Sequence, residues 1–451
     1  MRPRAHIYER RVCMSLLDEA REKINGIDRE IARLYEERMR AVADVAKYKA
    51  AHSLPIFDEK REREVIEANA SLLQNEELVP YYTEMLRGMM ASSRAYQADL
   101  LSRPDADNTR LDIRTQRGSY PVYFQAGGLS DLTKFFPLRD HYDKVLILTD
   151  AGVPSEYAKT VCKVCKTSVL YCAPEGEGSK DTATYQSISR VMVENGFART
   201  DCLIAIGGGM VTDLGAFVAS TYMRGIDFYC VPTTTLAMVD ASVGGKCAIN
   251  FMGGKNLLGA FYPPRAVLID RTLLATLPPR QMASGLAEAI KMAVTLDGDF
   301  FRYIEECEWN DAVLDKVLYH SILLKKRVVE EDERESGKRK LLNFGHTLGH
   351  AIEMATDGKF THGECIALGM LAFCSENVKE RLLRIYKKLG LPTELPIAIE
   401  KAVKLMAFDK KRDGDDVDAI FVDEVGFGRI ERIALSALQE SVIRKYKGEG
   451  V

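Results

Sequence analysis

The chain has 451 residues, and its 62 Lys and Arg against 65 Asp and Glu leave a net charge of −3, so no basic field exists to attract a nucleic-acid backbone. With 46% hydrophobic and 28% charged residues the composition excludes a disordered or collagen-like chain, and apolar runs stop well short of the roughly 18 residues of a membrane span. At roughly 150 residues per domain the length predicts about three domains.

Residues 1–13 carry Arg2, Arg4, Arg10 and Arg11 with no apolar segment behind them; they predict a disordered tail and no secretory signal. Ten scattered Cys fit a reduced, cytoplasmic setting better than a disulfide framework. Cys162 and Cys165 form a single CxxC without a second pair, which reads as two ordinary thiols near a strand.

From Leu17 to Val45 the apolar residues Leu17, Ala20, Ile24, Ile27, Ile31, Leu34, Val42 and Val45 keep helical steps, predicting one helix over about 14–50. At 1.5 Å per residue it extends about 50 Å, too long for a small monomeric core, so a partner chain is expected. Asp58 is the expected N-cap of a second helix through Leu73, and Tyr81 to Leu101 forms a third. Arg21, Arg38 and Lys49 fall on or beside the stripe, and Leu86, Met90, Ser93, Gln97 and Leu100 share one face of the third helix. Cations at core-facing positions need anionic partners or an escape to solvent. Two readings remain open: a polar pocket for a dicarboxylate, or intramolecular ion pairs in a coiled coil.

Residues 102–117 are polar and aperiodic and read as a linker. Over 118–272 short β-branched runs (Val145 to Leu148, Cys202 to Ile206, Phe228 to Val231, Ala266 to Ile269) alternate with helical segments, predicting an α/β domain with a parallel sheet. Gly207, Gly208 and Gly209 follow a strand and open a helix, a turn that lets backbone N–H groups approach a pyrophosphate. Beyond about Thr272 the strands stop, and 273–451 reads as a helical domain. There His346, His350 and His362, three of only seven His, cluster in NFGHTLGHAIEMATDGKFTHGE. Spacing alone puts His346 and His350 on one helix face with Glu288 available as an oxygen ligand, which suggests a metal; capping or core packing is the alternative. No Ser-His-Asp or Cys-His arrangement suggests covalent catalysis.

AREKINGIDREI, EERM, AKYK, PIFDEKRERE and SSRAYQ, in that order over residues 14–101, resemble the all-helical chorismate mutases. The resemblance implies a chorismate pocket made by Arg21 and Arg38 (carboxylates), Lys49 (ether oxygen), Asp58, Glu62, Ser93 and Gln97, with Arg38 and Lys49 catalytic and Arg21 reaching across an intertwined homodimer. PEGEGSK, IGGGMVTDLGAFVASTYMRG, VPTTTLAMVDASVGGK, GKNLLGAFYPP, LPPRQMASGLAEAIK, RKLLNFGHTLGHAIE and HGE resemble 3-dehydroquinate synthase over 118–451. That resemblance implies NAD, one divalent metal (zinc, with cobalt an option) held by Glu288, His346 and His362, and His350 as a catalytic group rather than a fourth ligand. It further implies an NAD site of Asp150, Glu177, Lys180, Gly208, Gly209, Asp213, Thr233, Thr234, Lys255 and Thr276. The implied substrate residues are Arg224, Asp240, Lys246, Asn256, Lys291, Lys325, Arg339, Asn343 and Lys410. Glu335 takes an acid/base position, with Lys246 and Lys291 also catalytic. Gly152 stands where Asn is common and Cys247 where Thr is usual, which touches fine NAD contacts. The expectation is a fusion of two enzymes acting on small molecules, without nucleic-acid or membrane partners; the alternative is a mutase-like domain that only senses ligand or dimerises.

Overall fold

The computed structural model describes residues 16–51, 56–102, 110–395, 397–408 and 416–447. The expected tail over 1–13 and Lys410 lie outside them. Two units separate, one ending at Arg103 and one beginning at Pro104.

The first unit is helical throughout. The predicted long helix is α1 (Leu16–Ala51), the second is α2 (Glu59–Ala70), and the third is α3 (Val79–Ser102). Asp58 caps α2, its side chain accepting from the Arg61 N–H at 2.9 Å. Leu86, Met90, Ser93 and Gln97, which share one face of α3, are all buried. The α1 stripe is not: Leu17, Ile24, Ile27, Ile31 and Leu34 are about half exposed.

In the second unit a seven-stranded sheet runs in the order β1-β2-β9-β6-β5-β3-β4. Its strands are β1 (Arg110–Thr115), β2 (Gly118–Phe124), β3 (Val145–Asp150), β4 (Ser168–Ala173), β5 (Cys202–Gly207), β6 (Asp227–Pro232) and β9 (Ala266–Ile269). Only β1 is antiparallel to its neighbour. VLILTD and CLIAIG, the central β3 and β5, are buried along their whole length, as continuous apolar runs must be where helices cover both faces. Helices α4 (Leu138–His141), α5 (Ser155–Val164), α6 (Thr182–Glu194) and α7 (Gly209–Thr221) connect these strands, and β7 (Lys246–Phe251) with β8 (Gly254–Phe261) forms a separate hairpin. There follow α8 (Pro279–Leu296), α9 (Gly298–Glu306), α10 (Asp311–Glu331), α11 (His346–Ala355), α12 (His362–Ala372), α13 (Glu376–Leu389), α14 (Ile399–Leu405), the hairpin β10 (Asp416–Glu424) and β11 (Phe427–Ala434), and α15 (Leu435–Lys447). One continuous hydrophobic core runs from Ile113 to Val442.

Two expectations need correction. The linker does not extend to 117, because Arg110–Thr115 pairs with β2. Ile113 is buried while Arg110, Asp112 and Arg114 face out, the charged outer side of an edge strand. Strands also do not end at 272: β10 and β11 pair around Gly426, whose φ of 91° suits a glycine. Buried Val417 and Ala419 alternate only briefly before adjacent Ile420 breaks the pattern, and within acidic sequence this run does not stand out as a strand.

Candidate active sites

In the helical unit, Arg38 of α1 donates to Ser93 Oγ of α3, and Lys49 donates to the Ile56 carbonyl. Burial lowers the Lys49 ammonium pKa, with Asp58 and Glu62 acting against that shift. The Gln97 amide donates through Nε2 to the Ser93 carbonyl at 3.4 Å, whereas its Oε1 is buried with no hydrogen-bond partner among the described residues. Arg94, which spacing did not single out, pairs with Glu62 at 2.5 Å and lies over the Phe57 ring. Arg21 is exposed and stands 17 positions before Arg38 on the same helix, about 26 Å along it at 1.5 Å per residue. It cannot join Arg38 within one chain.

The second unit builds a centre from α8, α11 and α12. Gly363 at the start of α12 packs so closely on α8 that a Cβ there would lie 1.9 Å from the Ser284 carbonyl oxygen. Glu288 is one turn beyond Ser284, so this close approach brings His362 to it. The backbone at His362 is fixed by a capping box between Thr361 and Glu364, and Arg280 holds Glu364 through two bonds of 2.7 Å. Glu288 Oε1 lies 3.6 Å from His362 Nε2 and 3.9 Å from His346 Nε2. Potential ligand atoms of His346, His350 and His362 all fall within 4.8 Å of one another, so bare spacing and family resemblance name overlapping members of one cluster.

Carboxylates and cations alternate through this centre, Glu288 against Lys291 and Glu353 against Lys255, with His362 between the two carboxylates. Burial would lower His362, but Glu288 and Glu353 outweigh it and raise the imidazole to about 9. Burial also opposes ionisation of Glu288, yet Lys291 and His362 hold it below the usual carboxylate range. Its Oε2 accepts from Lys291, whereas its Oε1 is buried with no hydrogen-bond partner among the described residues. Two imidazole nitrogens and an unsatisfied carboxylate oxygen facing one point are a donor set that fits a divalent transition cation.

Beside the sheet, β3 leads to β4 on one side while β5 lies on the other, and the crevice outside the carboxyl ends at such a switch point is where nucleotides bind in α/β sheets. Asp150 ends β3, accepting from the Gly152 N–H at 2.9 Å; burial and then Glu175 raise its pKa. Gly208 caps α7, and a Cβ on it would meet Thr234 at 3.0 Å. Thr233 donates its backbone N–H to Gly207 at 2.9 Å, joining the ends of β5 and β6. Lys180, buried, bonds Asp213 and Asn256 at 2.6 Å each. Asn250, absent from the sequence-based set, ties these parts together: its amide donates to Glu177 at 3.0 Å and its oxygen accepts from the Asn256 N–H at 2.9 Å.

The substrate-side residues form two further groups. Asp240 rides on a π-turn over Ala237–Ala241, a local widening often found at functional sites, and bonds Lys325 of α10. Burial opposes its charge, but Lys325 and Lys291 hold its carboxyl well below the ordinary value. Glu335 bonds both Lys246 and Asn343, and Arg339 reaches the Gly244 carbonyl at 3.3 Å. Arg224, Asn256 and Glu335 all adopt positive φ, at 71°, 53° and 62°; such backbone conformations concentrate at functional sites. Arg224 and Thr276 are exposed and belong to none of these hydrogen-bonded groups.

Residues 170–284 match the family model of the 3-dehydroquinate synthase N-terminal region and 285–412 that of its C-terminal region, while 20–98 match chorismate mutase type II. A 3-dehydroquinate synthase of Caldanaerobacter subterraneus subsp. tengcongensis is 39% identical, the match covering 74% of this chain and 99% of that protein. One from Campylobacter concisus is 37% identical over 75% and 99%. The chain belongs to the 3-dehydroquinate synthase family. Unit two is the synthase, and a chorismate mutase type II domain precedes it on the same chain. Among solved structures, a 2-deoxy-scyllo-inosose synthase complexed with carbaglucose-6-phosphate, NAD+ and Co2+ is 27% identical with a TM-score of 0.67, covering 74% of this chain and all of that one. The 2-epi-5-epi-valiolone synthase of Streptomyces hygroscopicus, with NAD+ and Zn2+ bound, is 25% identical with a TM-score of 0.66, over 74% and 99%.

Proposed function

We propose that the chain runs two reactions: conversion of 3-deoxy-D-arabino-heptulosonate 7-phosphate to 3-dehydroquinate and phosphate by residues 118–451, and rearrangement of chorismate to prephenate by residues 14–101. The observation carrying the first is the meeting of His346, His362 and the unpaired Glu288 oxygen at one point. On this reading they hold one divalent cation, zinc or cobalt, and NAD occupies the crevice beside Asp150 and Gly208. When bound, these groups supply reversible hydride acceptance and polarisation of the substrate alcohol.

The chain's own residues do the remaining work. Arg339, Asn343, Lys325 and Lys246 present cations and an amide donor to the substrate's carboxylate, hydroxyls and phosphate, with Lys410 assigned to the same task. Lys291 and Asp240 orient hydroxyls beside Glu288. His350 and Glu335 move protons: Glu335 bonds Lys246 and Asn343, and the His350 ring stands 5.2 Å from that of His346 beside the cation site. Relatives 37–40% identical are 3-dehydroquinate synthases, whereas cyclases named for other products are 25–28% identical; this favours the heptulosonate over another sugar phosphate.

In the mutase, Arg38 and Lys49 stabilise developing charge at a carboxylate and the ether oxygen, and the closed pocket selects the folded substrate conformer. The buried, unpaired Gln97 oxygen favours an active pocket over a sensing or dimerising scaffold. The open α1 stripe and the distance from Arg21 to Arg38 support a homodimer in which Arg21 serves the other chain. The nine described cysteines are free thiols and fit a cytoplasmic setting. The test assays both reactions on one purified sample, with and without added NAD and after chelation. Chelation should stop dehydroquinate formation and leave prephenate formation intact; dehydroquinate formation that survives chelation would refute the metal reading.

A further inference from the structure

We propose that Glu353 is a positioning residue of the metal centre: it holds the His362 imidazole from behind, so that Nε2 is presented to the cation. The proposal rests on the reading that Glu288, His346 and His362 bind a divalent metal. Glu353 lies on α11, seven residues after His346 and three after His350, and thus on the same helix face.

Its carboxylate is divided between two contacts. One oxygen faces His362 Nδ1 at 3.3 Å, and the other accepts from Lys255 of the β7–β8 hairpin at 2.6 Å. The Lys255 contact fixes the rotation of the carboxylate, and the carboxylate in turn fixes the ring. An imidazole whose Nδ1–H donates to an anion keeps its lone pair on Nε2, and this is the nitrogen that faces Glu288 at 3.6 Å. His346 is oriented differently, its Nδ1 lying 3.2 Å from the Phe344 carbonyl oxygen. One ligand therefore leans on a neutral acceptor and the other on an anion, which makes His362 the more basic donor. Because Lys255, itself assigned to the NAD site, sits on the β7–β8 hairpin, Glu353 also ties that hairpin to a ligand of the cation.

The experiment strips the full-length protein of metal and titrates it with Co2+, reading the visible absorption bands of the bound ion together with the dissociation constant. Wild type should bind one Co2+ per chain. Glu353→Ala should raise the dissociation constant about 100-fold and shift the bands, and Glu353→Gln, which keeps an acceptor without the charge, should raise it about tenfold. Thermal unfolding checks that each variant is folded, and the Gln variant carries the test if the Ala variant is not. Suppose wild type binds, His362→Ala loses binding, and the Glu353 variants match wild type in both readouts: then Glu353 has no positioning role while the metal reading stands. Suppose instead that wild type binds no Co2+, or that His362→Ala binds like wild type: then the metal reading fails and this proposal with it.

Discussion

In the synthase unit Glu288 and Lys291 are almost fully withdrawn from solvent and answer each other's charge, whereas in the mutase unit α1 leaves Ile24, Ile27, Ile31 and Leu34 about half exposed beside Arg21. The synthase thus gathers its metal-site charges inside a core that a single chain closes. The mutase unit leaves an apolar stripe open on the single chain and holds Arg21 and Arg38 17 positions apart on one helix. The difference teaches that burial separates two situations: an orphaned carboxylate oxygen within a sealed core is a ready donor for a cation, whereas an open apolar stripe is a surface on which the proposed homodimer would close.

The sharpest break between the regions should come from His362→Ala. It should abolish dehydroquinate formation, lower the metal content measured by mass spectrometry, and leave chorismate turnover unchanged. The reverse break is Arg38→Ala, which should slow the mutase by about 3 to 4 kcal/mol, roughly 100- to 1000-fold, without altering synthase kinetics. Wild-type mutase turnover in that variant would make the helices a scaffold.

A smaller effect is expected from Ile27→Asp, which places a carboxylate on the open stripe of α1. Sedimentation should show a shift toward monomer if the homodimer closes through this face. Mutase activity should fall with it, and synthase activity should fall less.

The smallest effect concerns a loop of the synthase. Asp332 accepts from the backbone N–H groups of Ser336, Gly337 and Arg339 at 2.9, 2.7 and 3.0 Å, setting the turn that presents Glu335 and Arg339. Slight burial opposes its charge, but these donors hold its carboxyl at about 2. Because the folded value lies below the unfolded value of about 4, this stabilisation is present above pH 4 and is lost as pH falls toward 2. Asp332→Ala should flatten that part of the melting temperature against pH curve and modestly raise the synthase KM. An unchanged curve would remove Asp332 from the account.

Much of this was legible because the relevant residues lie close in sequence. Ser93 and Gln97 on one face of α3, the glycine turn after β5 and the histidine cluster are local patterns, and the structure holds each. What escaped depends on distant pairing. Glu353 reads as an ordinary polar position of α11 until Lys255, 98 residues away, is seen against it. Asn250 is one polar residue between Ile249 and Phe251 until the hairpin folds back on Glu177, and Arg94 acquires meaning only opposite Glu62. β1 and the β10–β11 hairpin hide inside charged sequence, because one face of each is solvated and the apolar alternation is short.

The most direct test of the contrast between the units is complementation in mixed dimers. Co-expressing Arg21→Ala with Arg38→Ala chains should restore roughly a quarter of wild-type mutase activity, since half of the dimers are mixed and one of their two sites is intact. Co-expressing His362→Ala with Lys246→Ala chains should restore no synthase activity, because both residues serve a site within one chain. Mutase pairs that stay inactive, or synthase pairs that recover, would contradict the account.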